Sequence, residues 1–150
     1  MTFAWVALAV LALDWLSKLA VRRWMTPGES IAVVPGVFHL TYTRNTGAAF
    51  SLFQGGSDWL AGVSLVIAAG VVLFALRQGR GRPWLQVALG LVLGGALGNL
   101  VDRLSRGWVV DFLDFRIWPV FNLADSSVVV GALLLAWQLL AGDSPARPDA

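Results

Sequence analysis

The chain has 150 residues, of which 57% are hydrophobic and only 13% are charged, and its mean hydropathy is +0.71. Soluble domains are about a quarter charged, so this composition argues against a soluble globule and predicts a single membrane-embedded domain over residues 1–150. The formal net charge is only +2 and cysteine is absent, which argues against a nucleic-acid partner and excludes cysteine chemistry.

Four apolar segments follow one another along the chain, each near the ~20 residues that a bilayer core requires. These predicted spans cover residues 3–21, 59–76, 84–104 and 117–141. The first span occupies the place of a signal peptide, but it lacks a basic beginning, and Asp14 and Lys18 interrupt it. We therefore predict that it is a retained helix.

The connections between the spans predict how the chain crosses the membrane. Three Arg lie in the short connection 77–82, which places that connection, and with four spans also both termini, in the cytoplasm. Residues 22–57 and 105–117 then form the outer loops. The polar, proline-containing tail 143–150 is predicted to be disordered.

The first outer loop has strand-like patterning. Residues 37–43 are rich in β-branched and aromatic side chains after a turn at Pro35 and Gly36, and 48–53 could form a second strand or a surface-lying segment. We expect a mainly α membrane protein with four transmembrane helices and a small β-sheet on the outer (periplasmic) face.

Charged and polar residues inside apolar spans are candidate functional residues, because a charge at mid-helix costs roughly 2.5–3.5 kcal/mol on insertion scales. Asp14 and Lys18 are four residues apart, so they share a helix face and are predicted to neutralise each other. Asn99 and Arg103 lie on one side of the third span beside Asp102, to which we assign a structural role. Arg103 could hold a carboxylate ionised or position a backbone carbonyl.

The third span also carries small residues at helical spacing. They are Gly90, Gly94, Gly95 and Gly98. Small residues of this kind allow helices to approach closely in a membrane, so we predict close packing against the neighbouring helices.

Two further aspartates lie on either side of a compact turn, Asp111 before it and Asp125 after it, and Asn122 precedes Asp125 by three residues. Two neighbouring carboxyl groups cannot both ionise easily, so one keeps a proton, which is the arrangement that an aspartic protease uses. From these residues alone three hypotheses stay open: an aspartic peptidase, a small proton or solute transporter, and a structural helix-packing subunit.

The single histidine, His39, lies in the predicted strand, and no metal or cofactor is predicted.

Five motifs together resemble those of the bacterial lipoprotein signal peptidases, the type II signal peptidases. They are Asp-Trp-Leu-Ser-Lys at 14–18, Asn-Thr-Gly-Ala-Ala-Phe-Ser at 45–51, Gly-Asn-Leu-Val-Asp-Arg at 98–103, Val-Val-Asp-Phe at 109–112 and Phe-Asn-Leu-Ala-Asp at 121–125. They occur in the order in which the family has them, although the stretch between Asp111 and Asp125 is shorter than expected.

The resemblance implies an intramembrane aspartic endopeptidase of the bacterial inner membrane. Its substrates would be prolipoproteins carrying a diacylglyceryl cysteine, cut on the N-terminal side of that cysteine near the periplasmic face. Asp111 and Asp125 would be catalytic, whereas substrate binding and positioning would fall to Asp14, Lys18, Asn45, Asn99, Arg103 and Asn122. We expect a monomer with membrane lipid around it.

Overall fold

The computed structural model describes residues 2–47, 57–78 and 82–141. In chain order its elements are α1 (Thr2–Trp24), β1 (Ser30–Val34), β2 (Phe38–Asn45), α2 (Ser57–Gln78), α3 (Pro83–Arg106), β3 (Val109–Asp114) and α4 (Leu123–Ala141). The predicted segment 48–53, the middle of the 77–82 connection and the tail 143–150 lie outside the described residues. The predicted mainly helical fold with a small sheet is confirmed.

Three helices in the described ranges are long and apolar enough to cross a membrane. They are Thr2–Trp24, Trp59–Arg77 and Pro83–Arg106, and Leu123–Gln138 forms a shorter apolar helix. The fourth helix begins at Leu123 and not near residue 117. Pro119 cannot donate a backbone hydrogen bond, and the side chains of Asn122 and Asp125 cap the helix that follows.

Helix α3 is the centre of the bundle, because α1, α2 and α4 all pack against it. Its glycines make this possible, as predicted. A Cβ at Gly90 would lie 2.8 Å from the Phe3 carbonyl oxygen, and one at Gly94 would lie 2.7 Å from the Ala7 carbonyl oxygen. Gly95 faces the backbone of Ala124 in the same way. Any side chain at these positions would push α1 or α4 away from α3.

The sheet has the order β1-β2-β3 with antiparallel pairing throughout. The predicted strand at 37–43 corresponds to β2, and the predicted turn joins it to β1, with Gly36 at a φ of 75°. Strand β3 was not predicted as a strand. A buried apolar cluster attaches the sheet to the end of α1; its members are Val21, Met25, Tyr42, Val110 and Phe112. The sheet therefore holds β3 over one end of the helix bundle.

Candidate active site

Buried polar side chains collect where α1, α3, β3 and the beginning of α4 meet. Those that are almost fully buried are Asp14, Lys18, Asn99, Asp102, Asp111 and Asn122. Buried charges and amides are strongly unfavourable unless they are paired or hydrogen-bonded, so the contacts within this cluster determine whether the fold tolerates it.

Lys18 supplies the cation at the base of the cluster. Its Nζ lies 2.8 Å from Asp14 Oδ2 and 3.0 Å from Asp102 Oδ2, and it donates a 3.0 Å hydrogen bond to Asn99 Oδ1. All three hydrogens of the ammonium group can thus be used. The predicted pairing of Asp14 with Lys18 is confirmed, and Asp102 joins it as a third charge.

The two buried carboxylates that neutralise Lys18 also join separate elements of the fold. Asp14 Oδ1 accepts a 3.0 Å hydrogen bond from the backbone N–H of Ala124, in the first turn of α4. Asp102 Oδ2 accepts from the N–H of Val110 at 3.3 Å, and its Oδ1 pairs with Arg106 at 2.6 Å. The pair with Arg106 was missed from the sequence, although the spacing of four residues on one helix is a signal for it.

The contacts of Asn99 fix the direction of its amide. Its Oδ1 accepts from Lys18 at 3.0 Å and from Asn122 Nδ2 at 3.2 Å, and its Nδ2 donates to Asp125 Oδ1 at 2.7 Å. Because an ammonium group can only donate, the oxygen of Asn99 must face Lys18. The amide N–H groups therefore face Asp125.

Asp111 lies in β3 and is held by two amides. Asn45 Nδ2, at the end of β2, donates to its Oδ2 at 2.9 Å, and Asn122 Nδ2 donates to its Oδ1 at 2.6 Å. The oxygen of Asn45 is used by the N–H of Gly47 at 2.9 Å, which leaves the amino group for the carboxylate. Burial, and then the charge of Asp125, raise the pKa of Asp111 to about 7.

Asp125, in the first turn of α4, is hydrogen-bonded to Asn122 as well. Its Oδ2 accepts from the backbone N–H of Asn122 at 3.2 Å, while its own N–H donates to Asn122 Oδ1 at 2.9 Å. This reciprocal pair is a capping box. Asn122 thus contacts both aspartates, one through its side-chain amino group and the other through its backbone N–H.

Arg103 is a second cation close to the two aspartates. Its guanidinium interacts electrostatically with Asp125, Asp111 and Asp102. Within the described ranges, this guanidinium forms no hydrogen bond or ion pair. Arg103 is therefore available to a ligand that reaches the site.

A cleft leads to Asp125 from the side of the bundle. It has a volume of about 240 Å³ and is lined by Ser64, Ile67, Ala96, Asn99, Asp125, Val128 and Val129. The lining comes from α2, α3 and α4, and apart from Ser64 and the two site residues it is apolar. An apolar chain could approach the carboxylate from the membrane along this path.

The structure brings seven of the eight predicted site residues into one hydrogen-bonded network. In order of contact they are Asp14, Lys18, Asn99, Asp125, Asn122, Asp111 and Asn45. Arg103 is close to this network but not bonded to it. Chemically, the arrangement offers two neighbouring carboxyl groups with oriented amide donors, a nearby guanidinium and an apolar approach.

Comparisons with known proteins agree on one family. Residues 6–141 match the family described as signal peptidase (SPase) II. The chain is similar to a lipoprotein signal peptidase of Moorella thermoacetica, with 50% identity over 99% of this chain and 100% of that protein. It is also similar to one of Pelotomaculum thermopropionicum, with 53% identity over 92% and 91%.

Solved structures with the same fold are also membrane proteins. One described as a bacterial membrane enzyme at 2.3 Å superimposes with a TM-score of 0.92 and 32% identity, covering 99% of this chain and 94% of that one. A second with the same description, at 1.9 Å, gives a TM-score of 0.85 and 34% identity over 93% and 92%.

Proposed function

We propose that this chain, which belongs to the signal peptidase II family, is a membrane endopeptidase that removes the signal peptide from prolipoproteins. We further propose that it is an aspartic peptidase whose catalytic residues are Asp111 and Asp125. One observation carries the catalytic assignment. The carboxyl groups of Asp111 and Asp125, from β3 and α4, are both hydrogen-bonded to Asn122. No other pair of acidic side chains in the described ranges shares a neutral partner in this way beside an open cleft.

The chemistry follows from two neighbouring carboxyl groups that share one proton. Burial raises the pKa of Asp111 to about 7, and we assign it that proton in the resting enzyme. Asp125 then takes a proton from a water molecule that attacks the peptide carbonyl carbon, while Asp111 donates its proton to the carbonyl oxygen. Asp125 then gives the proton it took from water to the amide nitrogen, while Asp111 takes a proton back from a hydroxyl of the tetrahedral intermediate. The C–N bond breaks, the signal peptide leaves with a new carboxyl group, and both aspartates return to their starting state.

The substrate would be positioned by the groups around this pair. Arg103 can donate to a backbone carbonyl of the substrate, and the amides of Asn45 and Asn99 hold the two carboxyl groups in place. The apolar cleft beside Asp125 suits an approach from within the bilayer, as expected for a diacylglyceryl cysteine that stays in the membrane. Cleavage would fall on the N-terminal side of that cysteine.

The setting of the enzyme is also part of the proposal. We place it in the bacterial inner membrane as one domain, with both termini in the cytoplasm and the active site near the periplasmic face. The three Arg of the 77–82 connection support this orientation. The monomeric state stays a prediction.

Conservative variants test the catalytic assignment. We expect Asp111→Asn and Asp125→Asn each to lose at least about a hundredfold in the rate of prolipoprotein processing, because general acid–base catalysis contributes roughly 10²–10⁴-fold. The measurement is cleavage of a purified lipidated precursor by purified enzyme. The thermal unfolding temperature of each variant, compared with that of the wild type, checks that the fold persists.

Asp114→Asn is the matched control for this test. Asp114 lies in the same strand but pairs with Arg116 at 3.0 Å and accepts from Thr41 at 2.7 Å, away from Asn122. We expect it to process the precursor at the rate of the wild type. Normal processing by either Asp111→Asn or Asp125→Asn would reject the aspartic mechanism, and proton flux through the wild type in liposomes would favour the transporter hypothesis.

A further inference from the structure

A second cavity lies far from the two aspartates, toward the other end of the helix bundle. It has a volume of about 270 Å³, and its lining comprises Gly70, Val71, Phe74, Arg82, Leu85, Leu89, Leu135 and Gln138. Arg82, which directly precedes α3, and Asn99 within it are separated by 17 positions, or about 25 Å at the helical rise of 1.5 Å per residue. The cavity and the candidate active site therefore lie toward opposite faces of the membrane.

Most of this lining is apolar, and it comes from three helices that leave a gap at the surface of the bundle. Helices α2 and α4 each pack on α3, and the cavity occupies the space between them. A gap of this kind in a membrane protein faces hydrocarbon, so lipid chains have direct access to it. An inorganic ion would find few partners along such walls.

Polar groups collect at one end of the cavity. Arg82 lines it, and its guanidinium forms no ion pair with a described residue. The N-cap residue of α3 is Arg82, and its side chain makes no capping hydrogen bond to the beginning of that helix. Gln138 also lines the cavity, and its buried Nε2 has no hydrogen-bond partner among the residues that the structure describes. The guanidinium and the amide N–H groups can therefore donate to an acceptor or an anion that enters this end of the cavity.

The combination of an apolar channel with positive charge and free donors at its end fits an anionic phospholipid. The phosphate would lie against Arg82 and the beginning of α3, an ester oxygen could accept from Gln138, and an acyl chain would fill the space beside Gly70. The basic beginning of a substrate signal peptide does not fit, because it would place positive charge next to Arg82.

We propose that this cavity is a binding site for one anionic phospholipid, separate from the active site. The inference does not depend on the catalytic assignment. It would give the enzyme a bound lipid in the leaflet opposite the one where cleavage takes place.

Lipid retention by the purified protein tests the site. The wild type and its variants are incubated in mild detergent with equal amounts of dioleoyl phosphatidylglycerol and dioleoyl phosphatidylcholine, and bound lipid is counted by native mass spectrometry. We expect the wild type to prefer phosphatidylglycerol by roughly fivefold, as one basic side chain near an anionic headgroup allows. Arg82→Gln should remove this preference, whereas Arg77→Gln, the last cation of α2, should keep it.

A second pair of variants tests the acyl-chain channel. A Cβ at Gly70 or at Gly62 meets no atom within 4 Å, so both positions of α2 accept a larger side chain without a clash. Only Gly70 lines the cavity. We expect Gly70→Leu to lower retention of both lipids severalfold and Gly62→Leu to leave it unchanged. Both should unfold at the temperature of the wild type or above it.

Three results would overturn the proposal. If Arg82→Gln and Arg77→Gln lost the preference for phosphatidylglycerol equally, the positive charge at this end of the bundle would attract anionic lipid in general, without a specific binding site. Equal retention in Gly70→Leu and Gly62→Leu would mean that the cavity holds no chain. Displacement of the lipid by free glycerophosphoglycerol would mean that the headgroup alone accounts for binding.

Discussion

Three asparagines decide how the two aspartates of the candidate site are presented. In each amide the side-chain oxygen already accepts a hydrogen bond. The ammonium group of Lys18 donates to Asn99, and the backbone N–H groups of Gly47 and Asp125 donate to Asn45 and Asn122. The amino groups are then left to donate to Asp111 and Asp125. The direction of every amide is thus set before substrate arrives, which reduces the reorganisation needed during the reaction.

The pH dependence of processing follows from Asp111. Because its pKa is raised to about 7, the rate should fall as the pH rises through that value and the shared proton is lost. The hydrogen bond from Asn45 lowers this pKa, so Asn45→Ala should move the alkaline limb of the rate profile to higher pH. Thr43→Ala is the control, since the hydroxyl of Thr43 donates to the backbone oxygen of Asp111 and not to its carboxyl group. Identical alkaline limbs in both variants and the wild type would contradict the assignment.

The same group affects stability in a defined direction. An aspartate with a raised pKa in the folded state binds a proton that the unfolded chain has already released, so its contribution to folding is present below about pH 4. That contribution is lost between about 4 and the folded value of about 7. The free energy of unfolding contributed by Asp111 therefore decreases as the pH rises toward neutrality.

At the scale of the elements, local patterns predicted more than long-range pairing did. Hydropathy predicted the fourth helix but placed its start near residue 117, whereas the capping box between Asn122 and Asp125 sets that start at Leu123. Strand β3 was missed because its partner β2 lies far earlier in the chain: Asp111 is opposite Thr43, which is 68 residues before it. No local pattern in 109–114 specifies a partner so distant.

The close approach of α3 and α1 at the candidate site predicts the effect of a single added methyl group. A Cβ at Gly98 would lie 2.5 Å from Asp14 Oδ2, so Gly98→Ala must displace the carboxylate that binds Lys18 and Ala124. We expect it to be destabilised by roughly 1–3 kcal/mol, as for other overpacked sites, and to process substrate more slowly. Thermal unfolding and the cleavage rate measure both effects.

Gly62→Ala provides the comparison for Gly98→Ala. It adds the same methyl group to a membrane helix, but at a position where nothing lies within 4 Å. We expect an unfolding temperature and a cleavage rate close to those of the wild type. Equal behaviour of the two variants would mean that the glycine at 98 is not required for the contact between α3 and Asp14.

At the scale of the whole molecule, the sequence predicted which residues meet but not how they are connected. Residues from each of the five motifs meet in one region, and seven of the eight predicted site residues form a continuous hydrogen-bonded chain. The roles of Asp102 and Arg106 in holding Lys18 and β3 depend on the path of β3 over α3. That path depends on packing between distant segments, which spacing alone does not contain.

The proposed orientation can be tested directly because the chain has no cysteine. A single cysteine at Ile117, whose side chain is 93% exposed beside the sheet, should react with a membrane-impermeant maleimide in right-side-out vesicles. A single cysteine at Arg77, at the other end of the bundle, should react only after the vesicles are opened. The reverse pattern would place the candidate active site on the cytoplasmic side.

Each of α1, β2, α3, β3 and α4 contributes at least one residue to the network of buried contacts. Asn122 and Asp125 are the last residues of this network along the chain. A nascent polypeptide that has inserted only its first three helices therefore lacks both partners of Asp111 that lie at the start of α4. If the proposed pair is the catalytic one, proteolytic competence appears only when biogenesis is complete. An immature or truncated copy could not cut its neighbours in the bilayer.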